Sequence, residues 1–311
     1  MYIYIYMNYS TSNITINLTY TSKILSYWMN STAYYCMQNE VTFKNYFFPF
    51  IHRNNISYKV YDIQDVKPVM TSENINIMLC VENCSFWKHY AHINKYGDFG
   101  NKMVSIYIYN HFDKFIETSS YIVIPVIYLQ VDYFQKFYTS IKPKIFTPFE
   151  KKKFCLFITR TNTEPAQNIF KKMATLGECH QIKDSQFDIL RKKSCYHDDT
   201  LLTIFNQYKF ICCCENSVTN GYITEKIFNV FFARAIPIYY GPSDKFRYFN
   251  KDSLIEITDT ISDISFQQIK NLNENEPLYN EFLKTPMINK EFENENYIKR
   301  SQNFIDKIRP K

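Results

Sequence analysis

The chain has 311 residues with a formal net charge of +6, and 46% of its residues are hydrophobic. That length suits two domains of ordinary size, each with its own buried core. Lysine and arginine are scattered apart from the short runs Lys151–Lys153 and Arg191–Lys193, which are typical of solvated surfaces. A nucleic-acid-binding protein concentrates its basic residues in a patch or an arm, so the charge pattern argues against that class.

The cysteines and the N-terminus bear on the compartment. The chain has 9 cysteines, an odd number, and Cys212, Cys213 and Cys214 are adjacent within an apolar run. Adjacent cysteines do not readily form a disulfide framework, and a cysteine in a buried strand behaves as a small hydrophobic residue. No stretch reaches the roughly 18 apolar residues of a membrane span, and the N-terminus lacks the positive region of a signal peptide. We therefore predict a cytoplasmic protein with reduced thiols and no Golgi anchor.

The first half of the chain is predicted to contain parallel strands. Ser57–Asp65 predicts a strand that leads into a turn. The apolar run Ile75–Val81 ends at Glu82, as expected for a buried parallel strand with polar residues at its carboxyl end. Tyr121–Leu129 predicts a later strand, and Pro125 favours a position at a sheet edge.

A domain boundary is predicted between residues 150 and 151, because Thr147–Lys153 combines a proline with a run of charge. After it, a strand at Phe154–Thr159, a polar loop and a helix at Ala166–Leu176 begin a second α/β unit. The tail Glu276–Lys311 has helical periodicity and is predicted to form one or two helices. The sequence therefore predicts an α/β protein with two Rossmann-like domains, residues 1–150 and 151–311.

The segment Phe210–Asn250 predicts a strand, a polar loop, a helix and a second strand. The loop ends in Tyr222–Lys226, so Lys226 lies in the first helical turn, where backbone N–H groups and the helix dipole already present positive charge. A lysine there opposes helix stability unless an anion such as phosphate binds at that point. Open α/β sheets bind nucleotides outside the carboxyl ends of their strands. We therefore predict a phosphate site, the alternative being an exposed lysine on the helix surface.

This segment resembles the donor-binding motif of the α-1,3/4-fucosyltransferases, glycosyltransferase family 10. The similar stretches occur in the family's order and spacing and are Glu215-Asn216-Ser217, Tyr222 to Lys226 and Ile236 to Gly241. The resemblance implies a GT-B arrangement, in which an acceptor domain and a donor domain face each other across a cleft. It also implies an enzyme that moves L-fucose from GDP-fucose to a sugar hydroxyl of a glycan acceptor, with inversion and an α-1,3 linkage.

A general base is also implied by the resemblance, because a base must take the proton of the acceptor hydroxyl. The family has a glutamate in a Gly-Glu-Asn sequence after a strand of the N-terminal domain. The matching residues here are Val81-Glu82-Asn83, with valine in place of glycine, so Glu82 is the predicted catalytic base. The alternative is a solvated glutamate at the end of a strand.

The resemblance assigns four further residues to the donor. Lys226 would stabilise the departing diphosphate as a catalytic cation. Glu225 matches the glutamate that accepts hydrogen bonds from ribose hydroxyls, and Tyr222 and Asn216 match an aromatic and an amide position around the nucleotide. The alternatives are a charge that complements the helix dipole for Glu225, core packing for Tyr222 and an Asx-turn for Asn216.

One position departs from the family pattern. Family members carry an arginine in a Pro-x-Arg-Asn sequence that contacts the pyrophosphate, and Gln167 occupies that place here. Losing a charge-assisted hydrogen bond costs on the order of 1.5–3 kcal/mol. Arg160, at the preceding strand end, is a candidate for supplying the charge. Two alternatives stay open: a fucosyltransferase-like protein that binds nucleotide or glycan without catalysis, and a GT-B transferase with another nucleotide sugar.

No cofactor is predicted. The sequence has no Asp-x-Asp pair of the kind that holds a metal in GT-A transferases, and its 6 histidines show neither triad nor ligand spacing. A divalent ion is therefore expected at most to stimulate the activity, with GDP-fucose as the donor substrate.

Overall fold

The computed structural model describes residues 58–62, 75–80, 105–109, 121–125, 146–158, 164–182, 199–215, 218 and 220–293. Its contacts divide the chain into two units, Met1–Asp132 with Glu295–Lys311, and Tyr133–Asn294. The boundary between residues 150 and 151 stays a prediction of where independently folding domains meet, as does the arrangement of two domains across a cleft.

The first unit contains a parallel sheet of four strands in the order β1-β2-β3-β4. Three of its strands confirm strands predicted from the sequence, and Pro125 is the last residue of the edge strand β4. Proline is tolerated at an edge because no neighbouring strand needs its missing N–H group. The strands are β1 (Tyr58–Asp62), β2 (Ile75–Cys80), β3 (Ser105–Tyr109) and β4 (Tyr121–Pro125).

The second unit contains a parallel sheet of five strands, with helices in the connections. Its strands are β5 (Lys153–Ile158), β6 (Cys179–Gln181), β7 (Tyr208–Cys214), β8 (Ile236–Tyr240) and β9 (Ile255–Glu256). Its helices are α1 (Glu164–Met173), α2 (Asp199–Asn206), α3 (Glu225–Phe232), α4 (Asp263–Glu274), α5 (Glu276–Phe282) and α6 (Lys290–Glu293). The two parallel sheets confirm the predicted α/β fold class.

The strand order of the second sheet locates its ligand-binding edge. The order is β6-β5-β7-β8-β9, which is the doubly wound order 2-1-3-4-5. The order reverses between β5 and β7, and sheets of this type bind ligands outside the carboxyl ends of the strands at that switch point. The connections to α1 and α3 leave the sheet at this edge.

The core of the second unit consists mainly of aromatic and aliphatic side chains from the sheet and its helices. The Tyr279 ring of α5 is 1% exposed, lies 6.3 Å from the Phe210 ring, and donates its hydroxyl to the Lys209 carbonyl. Cys212 and Cys213 are fully buried in β7, which confirms the predicted buried strand. Burial raises the pKa of the Cys213 thiol well above its ordinary value, so this side chain packs as a neutral group.

A tight turn connects α3 to β8. Arg234 adopts φ 56°, and the Arg234 N–H donates to Phe231 O at 3.0 Å while the Ala235 N–H donates to Val230 O at 3.3 Å. These two bonds form a Schellman motif, in which the left-handed position is usually glycine. Because only three residues separate the end of α3 from the start of β8, this turn fixes where β8 begins.

Asn206 joins the end of α2 to two other segments. Its side chain is fully buried, donates to Ala233 O at 2.7 Å and accepts from the Thr147 N–H at 2.7 Å. The Asn206 carbonyl accepts a hydrogen bond from the ammonium of Lys152, a residue that is 9% exposed. Burial lowers the pKa of the Lys152 ammonium from 10.5 to about 8.

We expect Lys152 to make the stability of the protein depend on pH. Between about pH 8 and pH 10.5 the unfolded chain binds this proton more readily than the folded chain, so the free energy of unfolding rises with pH. Relative to Lys152→Met, the wild type should gain on the order of 2–3 kcal/mol between roughly pH 7 and pH 10 in urea unfolding. The exposed neighbour supplies the control, Lys151→Met. An equal gain relative to both variants would contradict the assignment to Lys152.

Candidate functional site

The candidate site lies at the carboxyl end of β7, where the chain leaves the sheet for α3. The Glu215 N–H donates to Tyr240 O at 2.8 Å, so pairing with β8 continues one residue beyond β7. This pairing directs Glu215 into the interior, and its side chain is 0% exposed. A buried carboxylate is costly unless hydrogen-bond donors surround it.

Four donors reach the Glu215 carboxylate. The Thr224 N–H (2.9 Å) and the Tyr239 hydroxyl (3.0 Å) donate to Oε1. The Thr224 hydroxyl (2.8 Å) and the Lys226 ammonium (3.3 Å) donate to Oε2. These donors come from β8, from the loop before α3 and from α3 itself, so one side chain joins three segments of the site.

Lys226 is the cationic partner of this carboxylate. Its side chain is 14% exposed, and its ammonium also donates to Cys214 O at 3.0 Å. Burial, and secondly the charge of Glu215, raise the pKa of the Tyr239 phenol well above its ordinary value, so Tyr239 stays a hydrogen-bond donor. The buried charge of Glu215 is therefore balanced by one cation and supported by neutral donors.

The N-terminus of α3 lacks the usual side-chain cap. Thr224 occupies the N-cap position with φ −107° and ψ −176°, yet its side chain makes no capping hydrogen bond. Its hydroxyl donates to Glu215 instead. A helix start presents N–H groups and a partial positive charge, and here the Thr224 hydroxyl does not accept from them. The start of a helix is a favourable position for an anion.

The loop before α3 is attached to the turn after β8. Gly221 adopts φ 74°, and its N–H donates to both carboxylate oxygens of Asp244, at 3.1 and 3.0 Å. The Ser243 hydroxyl donates to Asn220 Oδ1 at 2.9 Å. Glycine adopts this left-handed conformation without steric cost. These bonds hold the loop of β7 against the turn that follows β8.

The buried Lys245 supports the turn that follows β8. Lys245 is 4% exposed, forms an ion pair with Glu256 of β9, and donates to Pro242 O at 3.2 Å. Because Lys245 adjoins Asp244, these contacts restrict the position of the carboxylate that holds Gly221.

Gly241 lies against the ring of Tyr239 at the end of β8. A Cβ atom at position 241 would lie 2.5 Å from two ring carbons of Tyr239 and 2.6 Å from its hydroxyl oxygen. Distances of this size force a shift of one of the two groups. Glycine at position 241 is therefore what allows the Tyr239 hydroxyl to reach Glu215.

The structure places three of the sequence-predicted site residues with their side chains. Lys226 lies in the first turn of α3, as predicted, and its ammonium is directed toward the end of β7. Tyr222 is buried at 2% exposure, and Gln167 lies exposed in the first turn of α1, at the same edge of the sheet as Lys226. Glu225 begins α3, but its side chain is not among those described. Outside the described residues lie Glu82, Arg160 and Asn216.

Sequence reasoning missed Glu215 as the centre of the site. A glutamate directly after a fully apolar strand is a usable signal, since glutamate is almost never fully buried unless it is paired. The pairing with Tyr239, 24 residues away, depends on the register of β7 with β8. That register is a tertiary feature, so the sequence did not show which donors surround Glu215.

Within the described part of the chain, no group of three or more His, Cys, Asp or Glu side chains is arranged to hold a metal ion. None of the helices described there is both long enough and apolar enough to cross a membrane. The dependence of any activity on a divalent ion stays a prediction.

The fold and the site define an α/β protein in which helix α3 starts at the switch-point edge of a parallel sheet. Residues 148–304, about half of the chain, match the family described as glycosyltransferase family 10 (fucosyltransferase), C-terminal part. This segment contains the whole site from Glu215 to Gly241. The chain belongs to this family, which confirms the resemblance found in the sequence.

Known relatives match only over segments. The chain is 33% identical over 128 residues to a candidate fucosyltransferase of Acanthamoeba polyphaga mimivirus, and 43% identical over 54 residues to an α-(1,3)-fucosyltransferase of Helicobacter pylori. It is 28% identical over 145 residues to human 4-galactosyl-N-acetylglucosaminide 3-α-L-fucosyltransferase 9. These segments are 40%, 17% and 45% of this chain, but only 21%, 11% and 39% of the three relatives.

Solved structures of an α1,3-fucosyltransferase have a similar fold. The structure with GDP-fucose matches with a TM-score of 0.51 and 17% identity, over 90% of this chain and 84% of the other. The structure with GDP matches with a TM-score of 0.50 and 17% identity, over 87% and 80%. At this identity the likeness establishes the fold.

Replacing Gly241 by alanine should disturb the site through Tyr239. The new methyl group displaces the Tyr239 ring from Glu215, so we expect Gly241→Ala to lower the free energy of unfolding by about 1–3 kcal/mol. We also expect it to weaken binding of GDP in calorimetry.

The matched control for this substitution is Gly177→Ala. Its Cβ would lie 2.6 Å from the Phe154 ring, at the opposite edge of the sheet, so it causes a comparable clash away from the site. Loss of GDP affinity in Gly177→Ala of the same size would show that instability alone explains the effect.

Proposed function

We propose that this protein is an inverting fucosyltransferase that moves L-fucose from GDP-fucose to a sugar hydroxyl of a glycan acceptor, with an α-1,3 linkage. The observation that carries the proposal is the position of Lys226 in the first turn of α3, beside the uncapped helix start and within the segment that matches the family. Support for the donor and linkage comes from relatives named as α-(1,3)-fucosyltransferases and a similar fold solved with GDP-fucose.

The site would bind the diphosphate of the donor at the start of α3. Helix N–H groups and the Lys226 ammonium supply hydrogen bonds and positive charge where negative charge develops on the leaving group. In this proposal Glu225 accepts hydrogen bonds from the ribose hydroxyls, and Tyr222 and Asn216 lie near the nucleotide. The protein itself supplies the positive charge, so a divalent ion is expected at most to stimulate the reaction.

The acceptor would be activated by Glu82, which follows β2 in the sequence. In a single displacement with inversion, a carboxylate takes the proton of the acceptor hydroxyl while that oxygen attacks the sugar carbon from the face opposite the diphosphate. The C–O bond to the diphosphate breaks as the new glycosidic bond forms, so GDP leaves with the electron pair.

Gln167 favours a second candidate, a fucosyltransferase-like protein that binds nucleotide or glycan without catalysis. Gln167 is exposed in the first turn of α1, at the same edge of the sheet as Lys226. An arginine at this position would lie on the side of the sheet where the donor is proposed to bind. The proposed enzyme instead uses Arg160 for that charge. A transferase with another nucleotide sugar is the third candidate, and a panel of donors separates it from the first.

Thermal shifts with GDP-fucose, GDP-mannose, UDP-galactose and GDP test the donor site. We expect GDP and GDP-fucose to stabilise the wild type, by about 2.7 kcal/mol at 100 times the dissociation constant. Lys226→Ala should remove most of the ligand-induced shift. Because this variant also leaves Glu215 without its cation and lowers the ligand-free Tm, only the shift caused by ligand is compared.

The control for Lys226→Ala is Lys270→Ala, on the exposed side of α4. It should retain the full ligand-induced shift. A preference for UDP-galactose would favour another nucleotide sugar, and no response to any guanine nucleotide would contradict a GDP-fucose site.

Replacing Glu82 by alanine tests the proposed base. We expect Glu82→Ala to lower kcat by about 10²–10⁴-fold, the usual contribution of a positioned acid or base, while the affinity for GDP-fucose stays within about twofold. Turnover is measured as release of GDP with a panel of glycan acceptors. Turnover that persists unchanged in Glu82→Ala would remove Glu82 from the mechanism, and no turnover by the wild type with any acceptor would favour the non-catalytic candidate.

A further inference from the structure

Glu215 joins three segments of the site through hydrogen bonds, and this joining does not require that its side chain be charged. Three of its four donors are neutral: the Thr224 N–H, the Thr224 hydroxyl and the Tyr239 hydroxyl. A neutral acceptor such as glutamine also accepts bonds from such groups, without the cost of burying an ionised carboxylate. Among the four donors described, Lys226 alone carries a charge. We therefore look for the role of the Glu215 charge in its contact with Lys226.

The contacts around Lys226 show what the carboxylate does. Its ammonium donates to Cys214 O at 3.0 Å and to Glu215 Oε2 at 3.3 Å, two acceptors that belong to consecutive residues at the end of β7. The Glu215 side chain is itself held by its bonds to Thr224 and Tyr239. A lysine ammonium is a point charge on a flexible four-carbon stem. Two fixed acceptors restrict that stem to one arrangement before a ligand binds.

We propose that Glu215 is a positioning residue of the donor site, whose buried carboxylate holds the Lys226 ammonium in place for the diphosphate. This inference rests on the proposed role of Lys226 toward the donor and adds a residue that acts through it. Ordering the side chain in advance removes a cost that binding would otherwise include.

A competing effect of the same carboxylate has the opposite sign. The negative charge of Glu215 offsets the positive charge of Lys226 and repels a diphosphate. If this screening dominated, removing the charge would tighten binding of GDP. If positioning dominates, removing the charge weakens binding, and only when Lys226 is present.

The test is a double-mutant cycle with four proteins: the wild type, Glu215→Gln, Lys226→Met and the double variant. Binding of GDP is measured by calorimetry, and the free energy of unfolding without ligand is measured for each protein. We expect Glu215→Gln to weaken GDP binding about tenfold in the wild type and less than about twofold in the Lys226→Met background. A role in stability alone would lower the free energy of unfolding without this coupling in GDP binding.

Two controls separate positioning from general effects of the substitutions. The exposed pair Glu281 and Lys284, whose charged atoms are 3.0 Å apart on α5 and just after it, provides the same cycle on the surface with Glu281→Gln and Lys284→Met. Gly177→Ala provides a destabilised protein with an intact site. Both should leave GDP affinity within about twofold of the wild type.

The outcomes distinguish this inference from the proposed function. If GDP binds to the wild type and Lys226→Met weakens it, but Glu215→Gln tightens binding or has the same effect in both backgrounds, positioning by Glu215 is overturned and the donor site stands. If GDP does not bind to the wild type, the proposed function fails and this inference with it. Should Glu215→Gln fail to fold, Glu215→Asp, which keeps the charge but withdraws it from Lys226, replaces it in the cycle with the same expected coupling.

Discussion

The burial of one carboxylate is the constraint on which the site depends. Glu215 has no exposed side-chain surface, so the chain must bring hydrogen-bond donors to it. The donors come from three segments, namely the loop before α3, α3 itself and β8, and none of them is adjacent to Glu215 in sequence. Satisfying this one group therefore fixes the start of α3 against the ends of two strands.

The sheet places this cluster at its switch-point edge. The strand order reverses between β5 and β7, and the cluster lies at the carboxyl end of β7. The same edge receives the first turns of α1 and α3. The bonds from Gly221 to Asp244 and from Lys245 to Glu256 extend the support to the turn after β8. These bonds hold Lys226 and the start of α3 in a fixed relation to the ends of β7 and β8.

Local sequence was sufficient for most of the elements described. Short apolar runs predicted β2, β5 and β7, and the change from a polar loop to an apolar stretch at Tyr222–Lys226 predicted the start of α3. Glycine is rare, with 5 in the whole chain, and Arg234 rather than glycine adopts the left-handed conformation in the turn after α3. A helix or strand can be predicted from a pattern within its own residues, because that pattern does not depend on which strands lie beside it.

The sequence by itself determined the α/β class, the resemblance to glycosyltransferase family 10 and the location of Lys226 in a first helical turn. Only the tertiary structure decided the direction of the Lys226 ammonium, the burial of Glu215 and the need for glycine at position 241. The physical reason is distance along the chain. Glu215 meets Tyr239 across 24 residues and Gly221 meets Asp244 across 23, through a strand register that no local pattern specifies.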